Sequence, residues 1–209
     1  MIRDASKYFL CAAAMVSGLL AGCNRGPERI HPPAINPASA GAAAIAEYDA
    51  NGDGAIAGEE LDEAAALQAA IENLDQNQDA RVTADEIAAR IKAWQASQVG
   101  ITAVSCRVTM DDAPLEGATV VFDPPEFLGE NIKPASGVTD SQGTATLSIA
   151  EQDRQDPRLS GMHCGLYQVR ITKDGQVPAR YNTETTLGAE VALDVADLEQ
   201  GLHFDLQSM

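Results

Sequence analysis

The chain has 209 residues, of which 45% are hydrophobic, and this is enough to bury the core of one or two domains. Its formal net charge is −17, and residues 45–90 alone contain twelve acidic and only two basic residues. Because so acidic a surface repels nucleic acid and attracts cations, we expect no nucleic-acid partner.

The first 23 residues have the pattern of an export signal. Arg3 and Lys7 precede an apolar run, residues 9–20, that is too short to span a bilayer as a helix. Residues 20–23 read Leu-Ala-Gly-Cys, which resembles the lipobox of bacterial lipoproteins. The resemblance implies that Cys23 becomes the lipid-modified N-terminus of the mature protein. It also implies a stable membrane anchor, since two acyl chains are enough to hold a protein at a membrane. The alternative is an ordinary signal peptide cleaved near an unmodified cysteine.

A tether and a helix follow the export signal. Residues 24–36 are rich in proline and have no apolar period, which predicts a proline-rich tether. The next segment predicts a helix from Pro37 to Tyr48, capped by Asn36, with Ile45 and Tyr48 facing inward.

Two stretches of twelve residues, 49–60 and 75–86, carry oxygen-bearing side chains at the spacing that a hard cation requires. A loop of this length surrounds Ca²⁺ with side chains at positions 1, 3 and 5, a backbone carbonyl at position 7 and a bidentate carboxylate at position 12. The first stretch offers Asp49, Asn51, Asp53, the Ala55 carbonyl and Glu60. The second offers Asp75, Asn77, Asp79, the Arg81 carbonyl and Glu86. Position by position these residues resemble the EF-hand family, which implies two calcium sites.

The second loop is expected to be the weaker site. Position 6 requires a left-handed backbone, and it is Gly54 in the first loop but Ala80 in the second. A residue with a Cβ in this conformation costs about 1–2 kcal/mol, which corresponds to about tenfold in affinity. In the EF-hand family the position-8 residues, here Ile56 and Val82, pair across the two loops in a short antiparallel contact.

Helical patterns link and follow the loops. The apolar residues between the loops predict one buried helical face, formed either by a single bent rod or by two short pieces. They are Leu61, Ala64, Leu67, Ile71 and Leu74. Residues 83–86 form a capping box that predicts the start of the last helix, with Ile87, Ile91 and Trp94 on its inner face.

From residue 100 the apolar residues alternate, and turn residues recur every eight to twelve positions, which predicts an antiparallel β-sandwich. The predicted strand residues are Val104, Cys106, Val108; Val121; Ala145, Leu147, Ile149; Tyr167, Val169, Ile171; Val191, Leu193, Val195; and Leu202, Phe204, Leu206. Residues 106–124, 136–149 and 165–175 resemble the carboxypeptidase-regulatory-like or transthyretin-like domain. This resemblance implies a fold and not an activity.

The cysteines predict one disulfide. Cys11 leaves with the signal and Cys23 carries lipid, so Cys106 and Cys164 remain as a pair in an oxidising compartment. One observation argues against a bridge, because Cys164 has the opposite parity to the inward-facing Tyr167.

Together these patterns predict an α plus β protein of two domains, a paired EF-hand unit at 37–98 and a β-sandwich at 100–209. No catalytic motif is present, and we expect a non-enzymatic, calcium-binding, lipid-anchored protein of the bacterial cell envelope. The order of segments resembles a set of small bacterial surface lipoproteins. Calcium is expected to be mainly structural, and the sandwich to be a spacer or a module that binds an envelope protein. Chelation is then expected to lower the melting temperature of the helical part and to leave the sandwich largely intact.

Two alternatives remain open at this point. The loops could form a dockerin-like module for calcium-dependent protein interaction, although dockerin repeats lack entering helices and residues 37–48 predict one. An inhibitor or accessory of a peptidase is suggested by the name of the fold alone.

Overall fold

A computed structural model describes residues 30–208, so Cys23 and the first part of the tether lie outside the described residues. The first helix, α1 (Pro37–Tyr48), begins as predicted, because the Asn36 side chain accepts the Ser39 N–H at 3.1 Å. Its buried residues are the small Ala40, Gly41 and Ala44, and their size lets α1 lie close to the helix that begins at Ala84. The predicted inward residues, Ile45 and Tyr48, are only half-buried.

The two loops meet through a pair of three-residue strands. Strand β1 (Ala55–Ala57) is antiparallel to β2 (Arg81–Thr83), with Ile56 opposite Val82. Both side chains are completely buried. The predicted contact between the position-8 residues is therefore confirmed.

Three short helices, and not one rod or two pieces, link the loops. They are α2 (Glu59–Glu63), α3 (Ala65–Ala69) and α4 (Ile71–Leu74). The backbone leaves helical geometry at Ala64 (φ −108°, ψ 61°) and at Ala70 (φ −106°, ψ 7°). These two bends keep the predicted apolar residues on the core side, with only Ile71 left half-buried.

Helix α5 (Ala84–Ala96) follows the second loop and has the predicted capping box, in which the Thr83 hydroxyl accepts the Glu86 N–H at 3.4 Å. Ile87, Ile91 and Trp94 are buried on its inner face, as the spacing predicts.

The rest of the chain forms one curled, mostly antiparallel sheet of eight strands: β3 (Val104–Met110), β4 (Ala113–Pro114), β5 (Thr119–Asp123), β6 (Ala135–Val138), β7 (Thr144–Ile149), β8 (Gly165–Thr172), β9 (Gly188–Val191) and β10 (Leu202–Leu206). Their order in the sheet is β10-β3-β7-β6-β5-β8-β9, with the short β4 beside β3. Strands β3 and β10 run parallel to each other, which the antiparallel prediction did not include. A four-residue helix, α6 (Asp197–Gln200), precedes β10. The protein is thus α plus β, with a curled sheet and a few helices.

Most of the predicted alternation is present in the sheet. The predicted residues of β3, β7 and β8 are buried at alternate positions, and so are Phe204 and Leu206 in β10. Two details differ. In β5 the buried residues are Val120 and Phe122, so Val121 lies on the other face. Strand β9 ends at Val191, and Leu193 beyond it is 52% exposed because the chain turns there to place Asp194 beside α5.

The helices and the sheet share one continuous cluster of buried residues. The predicted boundary near residue 99 therefore separates helices from strands, but the hydrophobic core extends across it. Helix α3 packs directly on β9: a Cβ added at Gly188 would lie 1.9 Å from the Ala65 carbonyl oxygen. The curl brings both edge strands to one cavity of about 330 Å³, lined in part by Glu190 of β9 and His203 of β10.

Candidate metal centre

In the first loop the side-chain oxygens accept the loop's own backbone N–H groups. The carboxylate of Asp49 accepts from three successive residues, 52, 53 and 54, at 2.7, 3.1 and 2.8 Å. Asn51 accepts the Asp53 N–H at 2.8 Å, and Asp53 accepts the Ala55 N–H at 3.1 Å. The predicted side-chain ligands at positions 1, 3 and 5 therefore all bond to the backbone of the same loop.

Glu60, at position 12, closes this loop. One oxygen of its carboxylate accepts the N–H groups of Ala50 and Asn51 at 3.0 and 3.1 Å, and the other accepts the N–H of Ala57 at 3.1 Å. The last side chain of the loop thus reaches back to its first residues, as a bidentate ligand at position 12 must do.

The second loop repeats this arrangement. Asp75 accepts the N–H groups of residues 79 and 80 at 3.2 and 2.7 Å, Asn77 accepts that of Asp79 at 2.9 Å, and Asp79 accepts that of Arg81 at 3.0 Å. Glu86 accepts from residue 76 at 3.3 Å and from residue 83 at 2.9 Å. The two stretches of twelve residues therefore fold in the same way.

The loops differ in their backbone strain. Positions 4 and 6 have positive φ in both, and in the first loop they are Gly52 (75°) and Gly54 (87°). In the second they are Gln78 (62°) and Ala80 (60°). The strain predicted at Ala80 is present, and a second strained residue, Gln78, was missed because only position 6 was compared with the EF-hand pattern. Each non-glycine residue in this region costs about 1–2 kcal/mol.

Replacing Ala80 with glycine is expected to tighten the second site by up to about tenfold, because the bound loop then carries no Cβ at position 6. Gln78→Gly is expected to act in the same direction. Calorimetric titration of calcium measures both changes. Gly54→Ala in the first loop is the matched reverse variant and should weaken that site; an unchanged affinity in all three variants would contradict the strain argument.

The side chain of Arg81 crosses from the second loop to the first. Its Nη2 lies 2.7 Å from Oδ1 of Asp53, the position-5 residue of the first loop. This hydrogen bond holds the pKa of Asp53 below its usual value. The sequence pattern assigned Arg81 only a carbonyl role, because nothing in a loop motif indicates where an arginine side chain will reach.

Arg81→Gln is expected to tighten the first site by about twofold to fivefold, the range of exposed ion pairs, because a cation there no longer competes with the guanidinium for Asp53. The gain should shrink as salt is raised. Calcium titrations at low and high salt measure it. Arg158→Gln, which removes the exposed ion pair with Asp156, is the control and should have no effect.

The chemistry of these donors fits a hard cation, because they are carboxylate, amide and carbonyl oxygens without nitrogen or sulfur. Within residues 30–208, no three side chains of His, Cys, Asp or Glu are grouped closely enough to hold a metal ion, and this includes the three carboxylates of each loop. In the EF-hand pattern a side-chain amide and a backbone carbonyl complete the set in each loop, here Asn51 with Ala55 and Asn77 with Arg81. Calcium remains a prediction that rests on this pattern.

The expected disulfide is not formed, since Cys106 and Cys164 are both buried free thiols. Cys106 lies in β3, whereas Cys164 precedes β8 and lies near Leu193, and three strands separate β3 from β8 in the sheet. Burial raises the pKa of Cys106 to about 12 and that of Cys164 to about 11, so both are protonated at neutral pH. Burial and the nearby charge of Lys133 lower the pKa of His163 to about 4.

A polar network joins the helices to the sheet. The carboxylate of Glu190, in β9, accepts from Arg90 Nε at 2.5 Å, from Trp94 Nε1 at 2.9 Å and from Asn73 Nδ2 at 2.8 Å. The two terminal nitrogens of Arg90 bind both oxygens of Asp194 at 2.7 and 2.8 Å. Sequence reasoning missed this network, because its partners are about a hundred residues apart and share no local pattern.

Comparisons of the chain with family models, with curated proteins and with solved structures find no match. Among residues 30–208, no helix has both the length and the apolar character needed to cross a bilayer.

Proposed function

We propose that residues 49–60 and 75–86 are paired EF-hand loops that bind two calcium ions, the second more weakly. The observation that carries this proposal is that the oxygens at positions 1, 3, 5 and 12 accept backbone N–H groups of their own loop in the same pattern in both loops. The buried pairing of Ile56 with Val82 supports it, since paired loops share a short strand contact in the EF-hand family.

The role proposed for calcium is structural. The helical segment is strongly acidic, and when bound the ion supplies positive charge that offsets the mutual repulsion of the loop carboxylates. Glu60 joins the two ends of the first loop by accepting the Ala50 N–H, and Glu86 joins those of the second by accepting the Gln76 N–H. Outside the cytoplasm calcium is plentiful, so even weak sites stay filled and contribute to stability.

The proposed place of this protein is the bacterial cell envelope, anchored through lipid on Cys23. This part of the proposal rests on the sequence of residues 1–23, which resembles a lipoprotein signal. Mass spectrometry of the mature N-terminus tests it: a diacylated or triacylated Cys23 supports the anchor, and cleavage elsewhere or an unmodified Cys23 contradicts it.

The curled sheet is proposed to be a sandwich of the carboxypeptidase-regulatory-like type that serves as a spacer or binds an envelope protein. The dockerin-like alternative is less favoured, because α1 enters the first loop as a full helix and packs against α5. A pull-down from envelope extract distinguishes the two: capture of a partner only with calcium present favours the dockerin-like function.

Calorimetric titration of the exported chain tests the calcium proposal. The expected stoichiometry is two ions per chain. Glu60→Gln and Glu86→Gln should each abolish one site, since the position-12 carboxylate supplies two oxygens that an amide cannot. Glu86→Gln keeps the capping box, which accepts glutamine, so a lost site there is not explained by a lost helix start.

A further inference from the structure

Glu190 receives hydrogen bonds from both sides of the second loop. Asn73 lies two residues before the loop begins at Asp75, and Arg90 lies four residues after it ends at Glu86. Both side chains reach the same carboxylate, Asn73 through one oxygen and Arg90 through the other. Glu190 belongs to β9 and is only 4% exposed, so it is a fixed point in the sheet.

We propose that Glu190 is a positioning residue for the second loop, holding the two segments that flank it at a set separation. This inference rests on the proposed calcium function. The separation matters because Asp75 and Glu86, the first and last residues of the loop, must supply their oxygens to one point. Asp75 lies two residues after Asn73, and Glu86 lies four residues before Arg90. The sheet thereby contributes to the affinity of a site made of other residues.

The contact from Asn73 is what distinguishes a clamp from a simple buried ion pair. Arg90 already supplies the positive charge that a buried carboxylate needs, and Trp94 supplies a further donor. Neutralising Glu190 therefore does not require Asn73. Asn73 is an exposed residue at the end of α4, and its amide nonetheless reaches a carboxylate 117 positions along the chain at 2.8 Å.

The first loop is supported differently. Its entering helix meets the sheet side through an apolar contact, in which the ring of Tyr48 stands edge-on to Phe127 with 6.4 Å between centroids. The second loop carries two strained residues, Gln78 and Ala80, where the first has glycine. The clamp therefore supports the loop whose own backbone opposes the bound conformation.

The test isolates each loop in turn. In a Glu60→Gln background, calcium titration reports the second loop alone, and in a Glu86→Gln background it reports the first. Asn73→Ala, which removes the contact to Glu190 from an exposed position, is expected to weaken the second loop about fivefold, the lower end of measured couplings between sites. It should leave the first loop unchanged. Gln68→Ala, which removes an exposed amide from the same linking segment, is the matched control and should change neither.

Hydrogen exchange of the metal-free proteins supplies a second measurement. Asn73→Ala should speed exchange of the amides of Leu74 and Asp75, which close the helical turn that the clamp holds, and Gln68→Ala should not. If the wild type binds calcium and Asn73→Ala neither weakens the second loop nor speeds exchange, the clamp is wrong and the calcium function stands. If the wild type binds no calcium, the proposed function fails, and the exchange rates alone decide whether Glu190 clamps the loop.

Discussion

Arg90→Ala is expected to lower the free energy of unfolding by about 3–5 kcal/mol, because it leaves a buried carboxylate without its counter-charge. Glu190 is 4% exposed, and Arg90, itself 7% exposed, is the cation beside it. Asp194, the other partner of Arg90, has a side chain that is 63% exposed and can be hydrated after the change. Most of the loss therefore comes from Glu190.

Urea unfolding followed by circular dichroism and by the fluorescence of Trp94, the single tryptophan, measures this loss. Arg170→Ala is the matched control, since it removes an arginine that pairs with Asp123 at the surface of the sheet. An exposed pair contributes about 1 kcal/mol or less. Equal losses in the two variants would contradict the view that the network is the main polar link between helices and sheet.

Removal of calcium is expected to lower the temperature of a single unfolding transition that includes both the helices and the sheet. Calcium at a hundred times its dissociation constant stabilises a one-site protein by about 2.7 kcal/mol. For a chain of this size that corresponds to a shift of about 5–10 °C. The sequence alone led to a different expectation, in which chelation spares the sandwich, because the loops and the strands occupy separate halves of the chain.

The single transition follows from the shared core. Helix α3 packs on β9 without space for a side chain at Gly188, and the Glu190 network joins α4 and α5 to the same strand. Differential scanning calorimetry with calcium and with chelator is the measurement. Two transitions, of which only one moves on chelation, would show that the helices and the sheet unfold independently.

Local patterns in the sequence predicted much of this molecule. Asn36, Pro37 and the capping box at residues 83–86 act within one helical turn, so they determine the starts of α1 and α5 by themselves. The alternation in β3, β7 and β8 likewise repeats every two residues and predicts which side chains are buried. The pairing of Ile56 with Val82 followed from the match of two loops to one pattern.

The features that were missed depend on distant parts of the chain. The bends at Ala64 and Ala70 place α3 against β9, and no local signal at either alanine indicates them. The run Val191, Leu193, Val195 alternates like a strand, yet the chain leaves the sheet after Val191, and Asp194 pairs with Arg90 on a helix. The parallel pairing of β10 with β3 was also missed, because the alternation of buried residues does not indicate the direction of a neighbouring strand.

A calcium titration followed by amide NMR tests the central claim most directly. The N–H groups of Gly54 and Ala80 donate to the position-1 carboxylates, Asp49 and Asp75, at 2.8 and 2.7 Å. Calcium drawn to those carboxylates must polarise both hydrogen bonds. We predict that both amide resonances move downfield, that of Gly54 at lower calcium than that of Ala80, while amides of β7 stay in place. Resonances of Gly54 and Ala80 that remain unmoved at millimolar calcium would contradict calcium binding by these loops.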